Sequence, residues 1–326
     1  MLRSQLLNNK TLPILLMFFS SCIGVGSCLY IPSVSFGLGT SNQSPIKTIL
    51  IFDNINNNIN PNNYSRPTKP KRYRTGIDLI PKLNASGSEQ PNVSDLKYII
   101  NEAKQYTTNH SSKEIFIVDL RQEPHVMINE YAVSWYGFKN QVPNNLEHEL
   151  TSKLLQEKTI RIYKGLDKLP DGYFIPKGYS IIEPKNIFTE QFIVEQLGAN
   201  YLRILVTDHF APETSQVDLF VKFVKNLPNN SWLHFHCRGG RGRTTTFMAM
   251  YDIIQNSKVL NLNDILKRQY KLGGVKLSKV NFTLTRKKWK EPAAKDRYSF
   301  MKKFYDYVLD PNGYNKSDWS DWIKDH

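Results

Sequence analysis

The last third of the chain has the clearest alternation of hydrophobic and polar positions. "YLRILV" (201–206) and "WLHFH" (232–236) are apolar runs of strand length, and between them Val217, Phe220, Val221 and Val224 recur at helical spacing before Pro228. Beyond the second run, Phe247, Met248, Met250, Tyr251 and Ile254 mark one face of another helix. Upstream, "IFIVDL" (115–120) predicts a buried β-branched strand, and Leu96, Ile99, Ile100 and Ala103 predict a helix capped by Ser94. Strands alternating with helices imply an α/β layer fold with its functional loops at the strand ends. Residues 150–190 differ in character. There "TIRIY" and "YSIIE" flank the turn-rich "LPDGYFIPKGY", which predicts a small β subdomain inserted in the α/β frame.

The chain ends follow other patterns. In residues 1–28, Arg3 and Lys10 precede "TLPILLMFFSSCIGVGSC", an apolar core of signal-peptide length and short for a membrane span, so export is expected. Val25-Gly26-Ser27-Cys28 has the form of a bacterial lipoprotein cleavage box, and Phe19-Ser20-Ser21-Cys22 is a weaker version; an ordinary cleaved signal is the alternative. Periplasmic, secreted and lipid-anchored destinations all fit. Residues 29–69 include "NINNNINPNN", rich in Asn and Pro without sustained period, and predict a tether. The folded body is expected over 70–310, followed by a tail at 311–326.

Charge narrows the partners. Lys and Arg number 43 against 29 Asp and Glu, a formal net charge of +14 in 326 residues. Such a balance suits polyanions: nucleic acid, anionic lipid or phosphorylated small molecules. Of three cysteines, Cys22 and Cys28 fall in the exported end, which leaves Cys237 without a disulfide partner and free for chemistry.

Cys237 stands in "HFHCRGGRGRTTT" (234–246), between a predicted strand and a predicted helix. Gly239, Gly240 and Gly242 permit a sharp bend that turns successive N–H groups toward one centre, and the helix starting near Arg243 adds its own amides and dipole. The result is a cradle for a phosphate group. The same field favours the thiolate of Cys237. Arg243 can grip two phosphoryl oxygens in a bidentate fork, and Thr244 can donate its hydroxyl to the sulfur when it departs. Asp208, in "TDHFAP" at the end of the preceding strand, faces the same sheet edge and is the expected proton donor; a helix cap near Glu213 is its alternative role. These residues describe phosphoryl transfer through a phosphocysteine, without a cofactor or a metal.

Other readings are weaker. His234 and His236 share a strand face, but no further ligand cluster of metal spacing joins them. "GGRGRTTT" lacks the lysine and spacing of a nucleotide-binding loop. A polyanion-binding module would need neither Cys237 nor Asp208, and no nucleic-acid recognition motif organises the aromatics. The basic run "RKKWKEPAAKDR" (286–297) is either a solvated surface or a rim that catches a polyphosphate.

"HCRGGRGRT" resembles the Cys-x5-Arg-Ser/Thr loop of the cysteine-based phosphatases. With "PKRYRT", "DLRQEPHVMINEYAVSWYG", "TDHFAP", "RQYKLGG" and "FYDYV", in order from about residue 70 to 308, the chain is similar to the bacterial protein-tyrosine-phosphatase-like inositol phosphatases, or cysteine phytases. That resemblance implies a cysteine-phosphatase fold: a central, mainly parallel sheet flanked by helices, plus a small partial β-barrel. It implies stepwise removal of phosphates from inositol hexakisphosphate without metal. Cys237 would be the nucleophile, Arg243 the phosphate clamp and Asp208 the acid. His236 would orient the thiolate, His209 would touch substrate, and Arg74 and Lys290 would meet outer phosphates. One departure stands out. Where the family loop begins Cys-Glu-Ala-Gly, Arg238 and Arg241 are basic here, as in the tensin-type phosphoinositide phosphatases. Their extra cations are expected to favour a highly charged inositol, soluble or lipid-attached, so a phosphoinositide phosphatase is the alternative function and a protein phosphatase a more distant one.

Overall fold

Alternation along "WLHFHC" sets the layering. In the computed structural model, which describes residues 48–53 and 67–326, this stretch is the middle of a five-stranded sheet. Among the described residues the strands are β1 (Ile49–Phe52), β2 (Arg74–Thr75), β3 (Ala85–Glu89), β4 (Ile115–Asp119), β5 (His125–Ile128), β6 (Tyr131–Tyr136), β7 (Ile160–Lys168), β8 (Phe174–Ile182), β9 (Ile187–Phe188), β10 (Asn200–Arg203) and β11 (Trp232–Cys237). The helices are α1 (Val93–Lys104), α2 (Glu147–Leu154), α3 (Glu190–Gln196), α4 (Thr214–Lys225), α5 (Gly242–Asn256), α6 (Leu262–Lys271), α7 (Glu291–Leu309) and α8 (Trp319–Trp322).

The five-stranded sheet runs β10-β4-β11-β3-β2, parallel except for the antiparallel edge strand β2. Its two faces are buried by different helices, as period-two alternation requires. Leu233, Phe235 and Cys237 pack with α4, α5, α6 and α7, whereas Trp232 packs with α1 and α3. This is the α/β layering that the pattern predicts and the mainly parallel, helix-flanked sheet that the resemblance implies. The helix α4 buries Val217, Phe220, Val221 and Val224 as its spacing requires.

Several elements differ from expectation. Helix α1 is capped by Asn92, not Ser94: the Asn92 side chain accepts from the Asp95 N–H, and the Asp95 carboxylate returns to the Asn92 N–H. This reciprocal box satisfies two otherwise unpaired amides. Helix α5 is buried almost all round rather than on one face, because it is covered by both the sheet and the helices α6 and α7.

The small sheet is larger than residues 150–190. It has six strands in the order β8-β7-β1-β6-β5-β9 and so takes in Ile49–Phe52 and His125–Tyr136. Ile49–Phe52, expected inside the tether, therefore forms a central strand there. It pairs antiparallel to β6 through Ile49–Tyr136 to Phe52–Val133 and parallel to β7 through Ile51–Tyr163. Its apolar "ILIF" supplies the burial that the neighbouring Asn-rich sequence cannot. The expected signal segment, residues 1–28, lies outside the described residues.

The expected tail at 311–326 is also part of the body. Trp319 and Trp322 are only 3% and 6% exposed, packed with Tyr307 on α7, and the Ser320 N–H donates to Asp218 on α4 at 3.0 Å. Replacing Trp319 with Ala should lower the unfolding free energy by about 3–5 kcal/mol in urea denaturation, since it empties a buried aromatic site. A loss below about 0.5 kcal/mol, the size expected of an exposed position, would restore the tail reading.

Candidate active site

The catalytic-type loop is shaped by what holds its carbonyls. Cys237 ends β11 and α5 begins at Gly242, so residues 238–241 make the whole turn. The carbonyl of Arg238 accepts from the Gln90 N–H at 3.3 Å, that of Gly239 from Arg72 at 2.8 Å, and that of Gly240 from Arg74 at 2.9 Å. A trans peptide points its N–H opposite its C=O, so the following amides of Gly239 and Arg241 turn away from these anchors, toward the hollow of the loop. The Gly240 N–H instead closes the turn on the Cys237 carbonyl at 3.4 Å. Gly240 itself has φ +59°, and a Cβ there would lie 2.4 Å from the Glu89 backbone nitrogen. Only glycine fits.

Arg74 is thus placed differently from the outer rim expected of it. It is 5% exposed, and its terminal nitrogens reach Gly240 O and Thr245 Oγ1 beneath the loop. Burial pushes its pKa down to about 10, and it stays charged at neutral pH.

Within the loop, Cys237 is a free thiol, 3% exposed. The Thr244 hydroxyl donates to its Sγ at 3.1 Å. Arg243 is buried and answered by Glu123, which accepts from both terminal nitrogens at 2.7 and 2.8 Å. That fork leaves Arg243 Nε as a buried donor with no hydrogen-bond partner, 3.4 Å from Asp208 Oδ1. A ligand oxygen is the natural partner for such a donor.

Asp208 lies opposite, away from the start of α4, so it caps no helix. Its carboxylate accepts from Asn140 at 3.1 Å and stands 3.4 Å from His209 Nε2. Burial favours its neutral form, but His209, Arg243, the Asn140 bond and Lys290 together outweigh it and hold the carboxyl well below the usual range. His209 adopts φ +78° and packs its ring edge-on to Trp289. Burial pushes it down to about 4, against the pull of Asp208. Lys290, whose ammonium sits over the Trp289 ring, is pushed down to about 8 by burial and by Lys168. Arg238 donates through Nε to Asp53 at 2.7 Å, and Arg241 is exposed.

His236 points to the other sheet face from Cys237, toward Glu190 at 2.9 Å. Glu190 also lies 3.4 Å from His125 Nε2, and Asp119 lies 3.3 Å from the same atom. Asp119, His125 and Glu190 are the one group among the described residues whose ligand atoms are close enough to hold a metal ion. Burial and Arg121 disfavour the His125 imidazolium, yet Asp119 overrides them and raises it to about 9. With Asp119 and Glu190 both close to its Nε2, His125 forms an ion-paired group with them beneath the sheet. His234 is bonded to Ser86 and Ser88 instead of standing ready for a metal.

Sequence reasoning assigned no role to Asp53, Arg72, Gln90, Glu123, Asn140 or Arg297. Glu123 and Arg72 lie inside quoted motifs, "DLRQEPH" and "PKRYRT", which was the available signal. Arg297 lies in the basic run; it donates to the His209 carbonyl at 3.2 Å and is felt electrostatically by Cys237 and Asp208. Asp53 carried no signal beyond following "ILIF".

Comparisons with known proteins agree with this chemistry. A family model described as PTP-like phytase, inositol hexakisphosphate, matches residues 176–255. The chain is similar to a solved PTP-like myo-inositol phosphatase from Mitsuokella multacida in complex with myo-inositol-(1,3,4,5)-tetrakisphosphate. That match has 29% identity and a TM-score of 0.72, covering 87% of this chain and 48% of the other. A solved PTP-like phytase from Bdellovibrio bacteriovorus is 30% identical with a TM-score of 0.64, over 90% of this chain and 100% of that one. Effector protein hopD2 of Pseudomonas syringae pv. tomato is 26% identical over 276 residues, 77% of this chain and 56% of its own. The chain spans about half the length of hopD2 and of the Mitsuokella protein.

Two outcomes follow from the geometry. Gly240→Ala should cut phosphate-ester turnover by roughly 100-fold, the scale set by misplacing a loop by an ångström; turnover equal to the parent's would show that the turn tolerates a side chain. His125 has its pKa raised from 6.5 to about 9, so its stabilisation is full below about pH 6.5 and is lost as pH rises through about 9. Unfolding free energy should therefore fall across that window, and His125→Gln should flatten the slope. An identical slope in both proteins would contradict the assignment.

Proposed function

This chain belongs to the PTP-like phytase family, and from that premise we propose that it hydrolyses phosphomonoesters of inositol polyphosphates, phytate among them, through a phosphocysteine. The observation that carries the reading is a buried Arg243 Nε without a hydrogen-bond partner, in one loop with a free thiol and 3.4 Å from the Asp208 carboxylate. In the first step Cys237 Sγ attacks phosphorus. The S–P bond forms, the bond from phosphorus to the inositol oxygen breaks, and Asp208 gives that oxygen its proton. In the second step water attacks phosphorus, Asp208 takes the proton of the water, and the sulfur leaves with the Thr244 hydroxyl still donating to it. Loop amides and Arg243 bear the equatorial charge throughout. No step calls on a metal.

The surrounding cations explain why a polyphosphate suits this site. In the empty site His209 and the cations Arg243 and Lys290 hold Asp208 as carboxylate against its burial. A substrate bearing several phosphates neutralises those cations and so favours the protonated acid that the first step needs. We also propose export of the protein, on the strength of the apolar stretch following Arg3 and Lys10.

Phosphate release from inositol hexakisphosphate, measured with a chelator present, tests the proposal. Wild type should be active, Cys237→Ser inactive, and Asp208→Asn slower by roughly 10²–10⁴-fold. Because the carboxyl of Asp208 is depressed, its protonated fraction grows as pH falls, and wild-type rate on the inositol ester should climb toward acid pH. An aryl phosphate, whose leaving group needs little protonation, should show a flatter profile. Abolition by the chelator, or turnover retained in Cys237→Ser, would refute the mechanism.

A further inference from the structure

The small sheet reaches the catalytic-type loop through one side chain. Asp53, just past β1, is fully buried, and its two oxygens are divided. Oδ2 accepts from Arg121 at 2.8 Å and from the Ser134 hydroxyl, while Oδ1 accepts from Arg238 Nε at 2.7 Å. The Arg238 guanidinium also lies over the Tyr136 ring, 4.6 Å from its centroid. Tyr136 belongs to β6, the strand paired directly with β1, so both restraints come from one rigid surface. A long side chain next to the nucleophile is thereby fixed before any ligand arrives, and the entropy that an unrestrained arginine would lose on binding is already spent.

What Arg238 keeps free matters more than what it uses. Only Nε is engaged. Neither terminal nitrogen makes a hydrogen bond among the described residues, and the side chain remains 17% exposed. Asp53 also serves Arg121, so it does not neutralise Arg238 alone. Arg238 directly follows Cys237 and its guanidinium is held over Tyr136, so its unengaged edge lies beside the loop that carries the sulfur. Two parallel N–H donors with spare positive charge there match a phosphate, not a carbonyl or hydroxyl.

We propose that Asp53 is a positioning residue that aims the terminal nitrogens of Arg238 at a second phosphate on the substrate ring. The loop then selects esters carrying more than one phosphate over isolated monophosphates. This deepens, and rests on, the reading of the chain as an inositol polyphosphate phosphatase. The chemistry recognised, a phosphate beside the one being cleaved, is shared by soluble inositol polyphosphates and by phosphoinositide headgroups.

The full chain hydrolysing an aryl monophosphate provides the test, with inhibition constants measured for inositol hexakisphosphate and for inorganic phosphate. Their ratio reports the second-phosphate contact whether or not the hexakisphosphate is itself turned over. In Arg238→Met the ratio should shift against the hexakisphosphate by roughly 10- to 100-fold, the span of charge-assisted hydrogen bonds lost. Asp53→Asn should shift it in the same direction by less, and Arg238→Lys should recover part of the preference. A parallel arm uses phosphatidylcholine vesicles carrying a phosphatidylinositol bisphosphate, against vesicles carrying phosphatidylinositol monophosphate. A shift in either arm supports the proposal and identifies the source the loop serves. A ratio unchanged in Arg238→Met in both arms overturns it, even if every variant is slower. Failure of the wild type to release phosphate from the hexakisphosphate would instead strike the functional reading, which this ratio does not measure.

Discussion

The site depends on neutralising one buried cation. Arg243 has a guanidinium almost wholly removed from water, and without a matched anion its burial would cost several kcal/mol. Glu123 supplies that anion through two bonds, and it too is buried. Burial would push the Glu123 carboxyl up, but Arg243 and Arg121 hold it below its usual range. Glu123 in turn engages Arg121, Arg121 engages Asp53, and Asp53 engages Arg238. A chain of alternating charges therefore runs from Arg243 to Arg238, the residue after Cys237. Glu123, Arg121 and Asp53 each answer two charged partners, so removing one member weakens the compensation of its buried neighbours and the geometry is held by the network as a whole.

That constraint explains how the two sheets serve one site. The five-stranded sheet presents Cys237 at the end of its central strand, and the helix α5 begins five residues later. The six-stranded sheet adds no nucleophile. It contributes Asp53 and Tyr136, which hold Arg238, and Ser134, which hydrogen-bonds Arg121 and Asp53. Beneath the parallel sheet a second ionic group, with His236, Glu190, His125, Asp119 and Arg203, ties β11 to α3 and β4. The catalytic-type loop is braced from both sides.

What was legible in the sequence was what is local. Cys237, Arg243 and Thr244 lie within one short loop, and Thr244 meets the sulfur seven positions along the chain. Asp208 was reachable because one strand–helix–strand unit separates it from Cys237, and such a unit returns both loops to one sheet edge. Glu123 meets Arg243 across 120 positions and Asp53 meets Arg238 across 185, and no periodicity encodes either contact. Asp53 was hidden further by its setting, a four-residue strand beside an Asn-rich tract. Arg74 was expected to meet outer phosphates on the family resemblance alone, whereas here two acceptors on and beneath the loop compensate its burial. The tail at 311–326 lacked a sustained apolar period; two tryptophans three positions apart were enough to dock it.

The central claim is that a sulfur anion attacks phosphorus and holds it covalently while the acid changes role. Acid quenching of Asp208→Asn during turnover of an aryl phosphate, whose leaving group needs little protonation while the second step still lacks its base, followed by peptide mass spectrometry, examines that intermediate directly. The account predicts phosphate attached to the peptide containing Cys237, absent when Cys237→Ser is added. Steady hydrolysis with no phosphorylated Cys237 peptide at any quench time would contradict it.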